Sequence, residues 1–471
     1  MKTQLIRTIL ISLLAFSLHA QQIDLTGTWT GKLSLPNTIK LTIVFNFAKD
    51  NSGNYTATLD SPDQGAKGIP TESVTIKDDS IIVKVPAIMG SYEGKIFTDS
   101  MKIDGKWKQS GMNLDLAVYK VDKVEEVKRP QEPKEPFPYK AEDVKFDNKI
   151  DNITLAGTLT MPQEGKKFPA VVLISGSGGQ NRNEEILEHK PFLVIADYLT
   201  RNGFAVLRYD DRGIAESKGN YSTATTEDFA ADALSAVEFL KTRNEINHIR
   251  IGLIGHSEGG MIAPMVSVQS DDVAFIVLMA GIGIPGDSIL YLQGELIQRA
   301  EGTSEEEILN SLRIQRKLFK MIKEINDDEM LKSKISETFR EDYASLSDED
   351  KNKMGDPEVY LQMQMKTITS PWFKYFVRFD PVPTFEKVKC PVLAINGEKD
   401  LQVPPKENLS AIENALKKGG NENVEVKMLT GLNHLFQTSS TGAVSEYGQI
   451  EETISPTALE TILNWLDKVA K

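Results

Sequence analysis

One cysteine, Cys390, stands among 471 residues, so no disulfide can close within the chain. Histidine is almost as scarce, with five, and they form neither a His-Glu-x-x-His pattern nor a pair, so no metal is implied. Basic residues are in the minority, 54 Lys and Arg against 67 Asp and Glu, for a formal charge of −13. A surface of that sign repels phosphate backbones and anionic membranes, which argues against nucleic acid as a partner. After the first twenty residues no apolar run reaches the roughly 20 residues that cross a bilayer, so no membrane insertion is expected. No feature of the sequence specifies an oligomeric state.

The first twenty residues differ from the rest. Lys2 and Arg7 precede an uncharged run from Thr8 to Leu18, and small Ala20 suits cleavage before Gln21. This is the pattern of an export signal, residues 1–20, which predicts a periplasmic or extracellular mature protein. Its removal takes two basic residues and no acid, leaving 52 basic against 67 acidic. Export without disulfides is compatible with this length, because a core of this size can carry stability alone.

Residues 21–126 alternate apolar and polar side chains between turn signals, as in Lys40–Phe47, Tyr55–Leu59, Ser73–Ile76, Ile81–Val85 and Leu114–Tyr119. Short strands at this spacing predict a small all-β antiparallel domain of roughly eight to ten strands. It holds no histidine and no evident chemistry. Residues 127–138, Val-Lys-Arg-Pro-Gln-Glu-Pro-Lys-Glu-Pro-Phe-Pro, follow as an extended, semi-rigid spacer that few contacts are expected to cross.

From 139 to 471 the pattern becomes strand, helix, strand, helix. Strands are expected at Ile153–Thr160, Ala170–Ser175, Ala205–Tyr209, Ile249–Ile254, Val273–Ala280, Val392–Asn396 and Val424–Leu429. Helices are expected at about 185–202, 226–243, 258–269, 405–418 and 456–469. Short β-branched runs alternating with amphipathic helices predict an α/β fold with a doubly wound, mostly parallel sheet. Residues 284–383 read as a helical cap inserted after a strand's carboxyl end, where such sheets bind ligands.

The chemistry gathers at Gly255-His256-Ser257-Glu258-Gly259, a G-x-S-x-G between an expected strand and helix. A serine on so tight a turn presents its hydroxyl at the sheet edge, and the flanking glycines relieve the crowding the turn creates. The order nucleophile, acid, base then selects His434, the only histidine beyond Ser257, in the loop after the last strand. Two acids follow the preceding strand, Glu398 and Asp400. Asp400 is preferred because the apolar Leu401-x-Val403 after it packs the loop. The oxyanion needs two N–H donors. One is Glu258, directly after the serine; the other lies in Ser175-Gly176-Ser177-Gly178-Gly179, with Ser177 first and Gly178 second.

On these motifs, and on Tyr209-Asp-Asp-Arg212-Gly213, residues 145–471 resemble the α/β-hydrolase family. The resemblance is to bacterial serine carboxylesterases with an N-terminal β-rich domain, related to dienelactone-hydrolase-like and acyl-peptidase-like enzymes. It implies a serine hydrolase of small-molecule esters, with Ser257, Asp400 and His434 as its triad and no cofactor. Where many members carry a second glycine this chain has Ala215, and the family's His-Gly oxyanion start is Ser175-Gly176.

Two further patterns were weighed. Gly281-x-Gly283-x-x-Gly286 fits a dinucleotide fingerprint, but Pro285 interrupts it and no acid-bearing strand follows. The aromatic run at Trp372, Phe373, Tyr375, Phe376 and Phe379 fits either cap packing or a substrate pocket, with Trp372 and Phe376 as the binding candidates. The rivals to an esterase are a serine peptidase of the acyl-peptidase type and a non-catalytic binding protein of the cell envelope.

Overall fold

The computed structural model describes residues 24–34, 40–62, 66–109, 112–123, 128–347, 351 and 356–471. The expected export signal lies outside them. Two separate sheets organise the chain.

The first sheet has nine antiparallel strands between Gly27 and Val121. Its earliest strand, Gly27–Ser34, pairs with both Lys40–Lys49 and the last strand, Met112–Val121. The two edge strands, Ala66–Pro70 and Ser73–Lys77, are consecutive in the chain. Thr71 and Glu72 between them donate to the carbonyls of Ala57 and Lys84, so the sheet curls back on itself. Period-two alternation sends Trp29, Phe45, Phe47, Tyr92 and Trp107 inward, where they fill the interior.

The second sheet has eight strands, labelled here β1 (Tyr139–Asn148), β2 (Ile153–Pro162), β3 (Phe168–Ile174), β4 (Ala205–Tyr209), β5 (Ile246–His256), β6 (Val273–Met279), β7 (Val392–Gly397) and β8 (Val424–Leu429). Their spatial order is β1-β2-β4-β3-β5-β6-β7-β8. The sheet is mixed: β1–β2 and β2–β4 are antiparallel, and the remaining neighbours are parallel. The antiparallel edge departs from the sequence expectation, which overlooked β1. Lys140, Glu142, Lys145 and Asp147 point outward along β1, so only Tyr139, Val144 and Phe146 supply an apolar face. Charges of this kind suit an edge strand, whose free side faces water.

Alternate residues of the central strands feed two cores. Val172, Leu253 and Ile276 pack with α2 (Thr226–Thr242), α3 (Gly259–Ser267) and α10 (Pro405–Lys418). Val171, Ile254 and Val277 pack with α1 (Pro191–Arg201) and α11 (Pro456–Val469) on the other face. Helix α1 starts six residues later than expected. Residues 185–190 instead form a loop with Leu187 and Glu188 at positive φ, and Pro191 opens the helix, where its missing N–H costs nothing.

Between β6 and β7 run α4 (Gly286–Ala300), α5 (Glu305–Glu324), α6 (Asp328–Ala344), α7 (Pro357–Ile368), α8 (Pro371–Arg378) and α9 (Val382–Phe385). The glycines of the dinucleotide-like pattern serve packing here. A methyl group at Gly286 would overlap the Phe376 carbonyl, and one at Gly283 would meet the backbone of Asn408.

The proline-rich spacer is strapped down rather than free. Arg129 donates to the carbonyls of Leu187, Gly448 and Ile450 at 3.0, 2.8 and 2.9 Å. Gln131 donates to Ile454 and accepts from Thr453, both at 2.6 Å. The spacer itself is thus bound to the catalytic half. Between the prolines lie polar side chains long enough to reach carbonyls left unpaired by the irregular 444–455 segment.

Candidate active site

Strand β5 ends at His256, and α3 begins at Gly259. Between them Ser257 adopts φ 53°, the left-handed region that a residue with a Cβ occupies only under constraint. The constraint is visible: Ser257 N–H donates to the Met279 carbonyl of β6, and its own carbonyl accepts from Gly260, both at 2.9 Å. Gly255 and Gly259 are required sterically. A methyl on either would overlap backbone, that of Gly259 in the first case and that of Ile174 in the second. Gly176 lies against the serine, where an added Cβ would come within 3.2 Å of Ser257 Cβ.

His434 sits in the loop after β8, and its Nδ1 lies 2.8 Å from Asp400 Oδ2. Asp400 is 2% exposed, and its second oxygen accepts the N–H groups of Gln402 and Val403, each at 2.8 Å. A carboxylate so held can turn only one oxygen to the imidazole. Glu398 is exposed and accepts from Gly431 N–H at 2.9 Å, serving the turn rather than the histidine. Buried His189 bonds Thr453 Oγ1 and the Tyr447 carbonyl, each at 2.9 Å, and meets Gln437 of the His434 loop at 2.9 Å. Burial pushes the pKa of His189 down to about 4, which keeps it a neutral strut.

Two N–H groups of the loop after β3 are engaged by buried carboxylates. Gly176 donates to Glu184 Oε1 and Gln180 to Asp211 Oδ2, each at 2.8 Å. The N–H groups of Ser177 and Glu258 make no hydrogen bond among the described residues, and that of Gly178 finds no backbone acceptor among them. Ser177, Gly178 and Glu258, the three expected oxyanion donors, thus all keep N–H groups to offer.

Sequence reasoning missed the side chain of Glu258. It is 1% exposed, and burial raises its pKa. Its Oε1 accepts from Thr226 Oγ1 at 2.7 Å and from Trp372 Nε1 at 2.8 Å, and Ser177 bonds it as well. One carboxyl thereby ties the serine turn to α2, to cap helix α8 and to the loop after β3. Nearby Asp211 is also buried, which lifts its pKa to about 8.

A cavity of about 180 Å³ opens over these groups. Ser257, His434, Ser177 and Gly176 line it, together with Trp372 and Phe376 from the cap and apolar Ile282, Ile289, Leu290 and Val403. No lysine or arginine is among its lining residues. A nucleophile, an oriented imidazole and free N–H donors thus share one partly apolar chamber, an arrangement able to carry acyl transfer.

The chain is similar to several known proteins. Esterase EstD of Thermotoga maritima is 28% identical over 317 residues, spanning 67% of this chain and 66% of that protein. An uncharacterised 31.7 kDa protein of Escherichia coli is 24% identical across 59% of this chain and 87% of its own. Among solved structures, esterase Pf2001 of Pyrococcus furiosus shares 16% identity over 71% of this chain and 94% of that one, with a TM-score of 0.41. Est1E of Butyrivibrio proteoclasticus, solved with ferulic acid, shares 15% over 69% and 98%, with a TM-score of 0.39. The model of the X-Pro dipeptidyl-peptidase (S15) family matches residues 151–433, from the second strand of the sheet to the residue before His434. With more than half of its length inside that pattern, the chain is a member of the S15 family, within the α/β-hydrolases.

Proposed function

We propose that this protein hydrolyses small-molecule carboxylic esters through an acyl-enzyme, with Ser257 as nucleophile, His434 as base and Asp400 as its orienting acid. The observation that carries the reading is the meeting, in one cavity, of a serine held at φ 53° and an imidazole fixed at Nδ1 by buried Asp400. Because Nδ1–H donates to Asp400, Nε2 is left bare to take the serine proton. Oγ then attacks the ester carbonyl, and the N–H groups of Glu258 and Ser177 receive the oxyanion. His434 returns the proton to the leaving alcohol, and water repeats the cycle on the acyl-serine.

The family description raises a peptidase, but the cavity favours an ester. A dipeptidyl-peptidase must hold its substrate's α-ammonium, which calls for an available carboxylate. Glu184, the carboxylate lining this cavity, already accepts from Gly176 and faces His256 at 2.9 Å. The resemblance to an esterase over two thirds of the chain points the same way. Export to the periplasm or beyond belongs to the same proposal and rests on the charge and apolar pattern of residues 1–20.

Ser257→Ala should lower turnover of p-nitrophenyl esters by about 10⁴-fold or more with an unchanged melting temperature, and should abolish labelling by a fluorophosphonate. A folded variant that keeps most of its turnover would refute the assignment.

A further inference from the structure

His256, directly before the proposed nucleophile, is 6% exposed and has both ring nitrogens engaged. Nε2 lies 3.1 Å from the backbone carbonyl of His434, and Nδ1 lies 2.9 Å from Glu184 Oε1. A carbonyl oxygen can only accept, so Nε2 must carry a proton. Glu184 Oε1 accepts the Gly176 N–H at 2.8 Å, the bond expected of an ionised carboxylate, so Nδ1 must donate as well. A neutral imidazole has only one N–H to give.

We infer that His256 is a buried imidazolium paired with Glu184, and that this second carboxylate–imidazole couple is a positioning device for the first. Three segments meet on it. Glu184 holds the loop after β3 through Gly176, His256 ends β5 beside Ser257, and its Nε2–H holds the backbone of His434. The two imidazole rings lie 4.8 Å apart, centre to centre. The charged and titratable groups facing His256 are Glu184, Asp400 and the His434 ring. Burial disfavours its charge, but the Glu184 carboxylate, the His434 carbonyl and Asp400 outweigh that and raise its pKa. The couple is neutral as a whole, so it adds little repulsion when His434 takes up its proton in the reaction. What it supplies is register between the oxyanion loop, the nucleophile and the base, a matter in which displacement by about 1 Å costs on the order of 10²-fold.

The inference rests on the esterase reading for its catalytic consequence, but its first test does not. In the full chain labelled with ¹⁵N-histidine, His256, identified by its loss in His256→Gln, should show both ring nitrogens protonated from about pH 5 to 9. A neutral His256 at pH 7 in the wild type would overturn the proposal. Glu184→Gln should return His256 to titration within that range and lower kcat by about 10- to 100-fold, with KM changed less than about threefold. Retention of full kcat by a variant whose His256 has become neutral would likewise overturn it. If the wild type neither turns over esters nor takes the fluorophosphonate label, the esterase reading fails, while the protonation result still decides the state of His256.

Discussion

The two sheets obey the same alternation but bury different things. In the nine-stranded sheet, Ser61 is the single polar residue buried among the described positions. Aromatic rings fill the rest, and their polar tips find backbone partners: Trp29 Nε1–H donates to the Leu25 carbonyl at 2.8 Å and the Tyr92 hydroxyl to that of Leu116 at 2.9 Å. The eight-stranded sheet buries Glu184, Asp211, His256, Glu258, Asp400 and His434, all on or beside the loops at the carboxyl ends of its strands. Burying an ionisable group is costly unless it is bonded, and these are bonded mostly to one another's loops. Among its described residues the first sheet buries no ionisable carboxylate or imidazole. In the second, one set of buried ionisable groups lies where the chemistry is proposed, with the pKa values of Asp211, Glu258 and His256 all raised.

That contrast is tested most severely at Asp400. Asp400→Asn keeps the shape and the acceptor oxygen for one neighbour but can offer an N–H where Nδ1–H must donate, forcing the wrong tautomer on His434. Turnover should fall by about 10⁴-fold. Glu398→Gln, two residues away and exposed, should change kcat by less than about twofold. Stopped-flow or steady-state hydrolysis of p-nitrophenyl butyrate distinguishes them, and a larger loss at Glu398 would show the acid to be misassigned.

The fold and the triad candidates were legible because each has a strong local signal. β4 and β8 were placed to the residue at Ala205–Tyr209 and Val424–Leu429, since short β-branched runs end there at clear turns. His434 followed from chain order and from being the last histidine. Three features were not legible. β1 is an edge strand dominated by charge, so its alternation is weak. Arg129 and Gln131 look like spacer residues until their carbonyl partners, more than 300 positions away for Gly448, Ile450 and Ile454, come into view. Glu258 and His256 were read as part of the turn, because nothing in a pentapeptide reveals which loops will converge on its side chains.

Substrate choice should respond less steeply. Phe376 is 3% exposed, packs on Trp372 with ring centres 5.2 Å apart and lines the cavity beside Ile289. Phe376→Ala removes apolar wall worth roughly 25 cal/mol per Å² to a buried acyl chain. We expect kcat/KM to drop about tenfold for octanoyl esters and less than about threefold for acetyl esters. Trp372→Phe keeps a ring but deletes the N–H held by Glu258, so it should lower turnover of both esters alike. A chain-length effect confined to Trp372→Phe would reverse these two roles.

The smallest effect on turnover should come from removing the first sheet altogether. No site residue lies in it, and its buried core is closed by its own rings. A fragment beginning at Lys128 keeps Arg129, Gln131 and Glu132, whose partners include Lys190 at 2.9 Å as well as the 448–454 carbonyls. It should fold and hydrolyse short esters within about twofold of the full chain. A fragment beginning at Tyr139 loses that strap. Charge-assisted bonds contribute about 1.5–3 kcal/mol each, and 1 kcal/mol moves the melting point of a domain of 150–250 residues by about 2–4 °C. The shorter fragment should therefore melt several degrees lower, with the loss centred on the 444–455 segment that supports His189 and, through it, the loop of His434. Hydrogen exchange would locate the loosening. If instead both fragments melt alike and both lose activity, the first sheet must cover the catalytic half directly, and its separation from the chemistry would be one of sequence only.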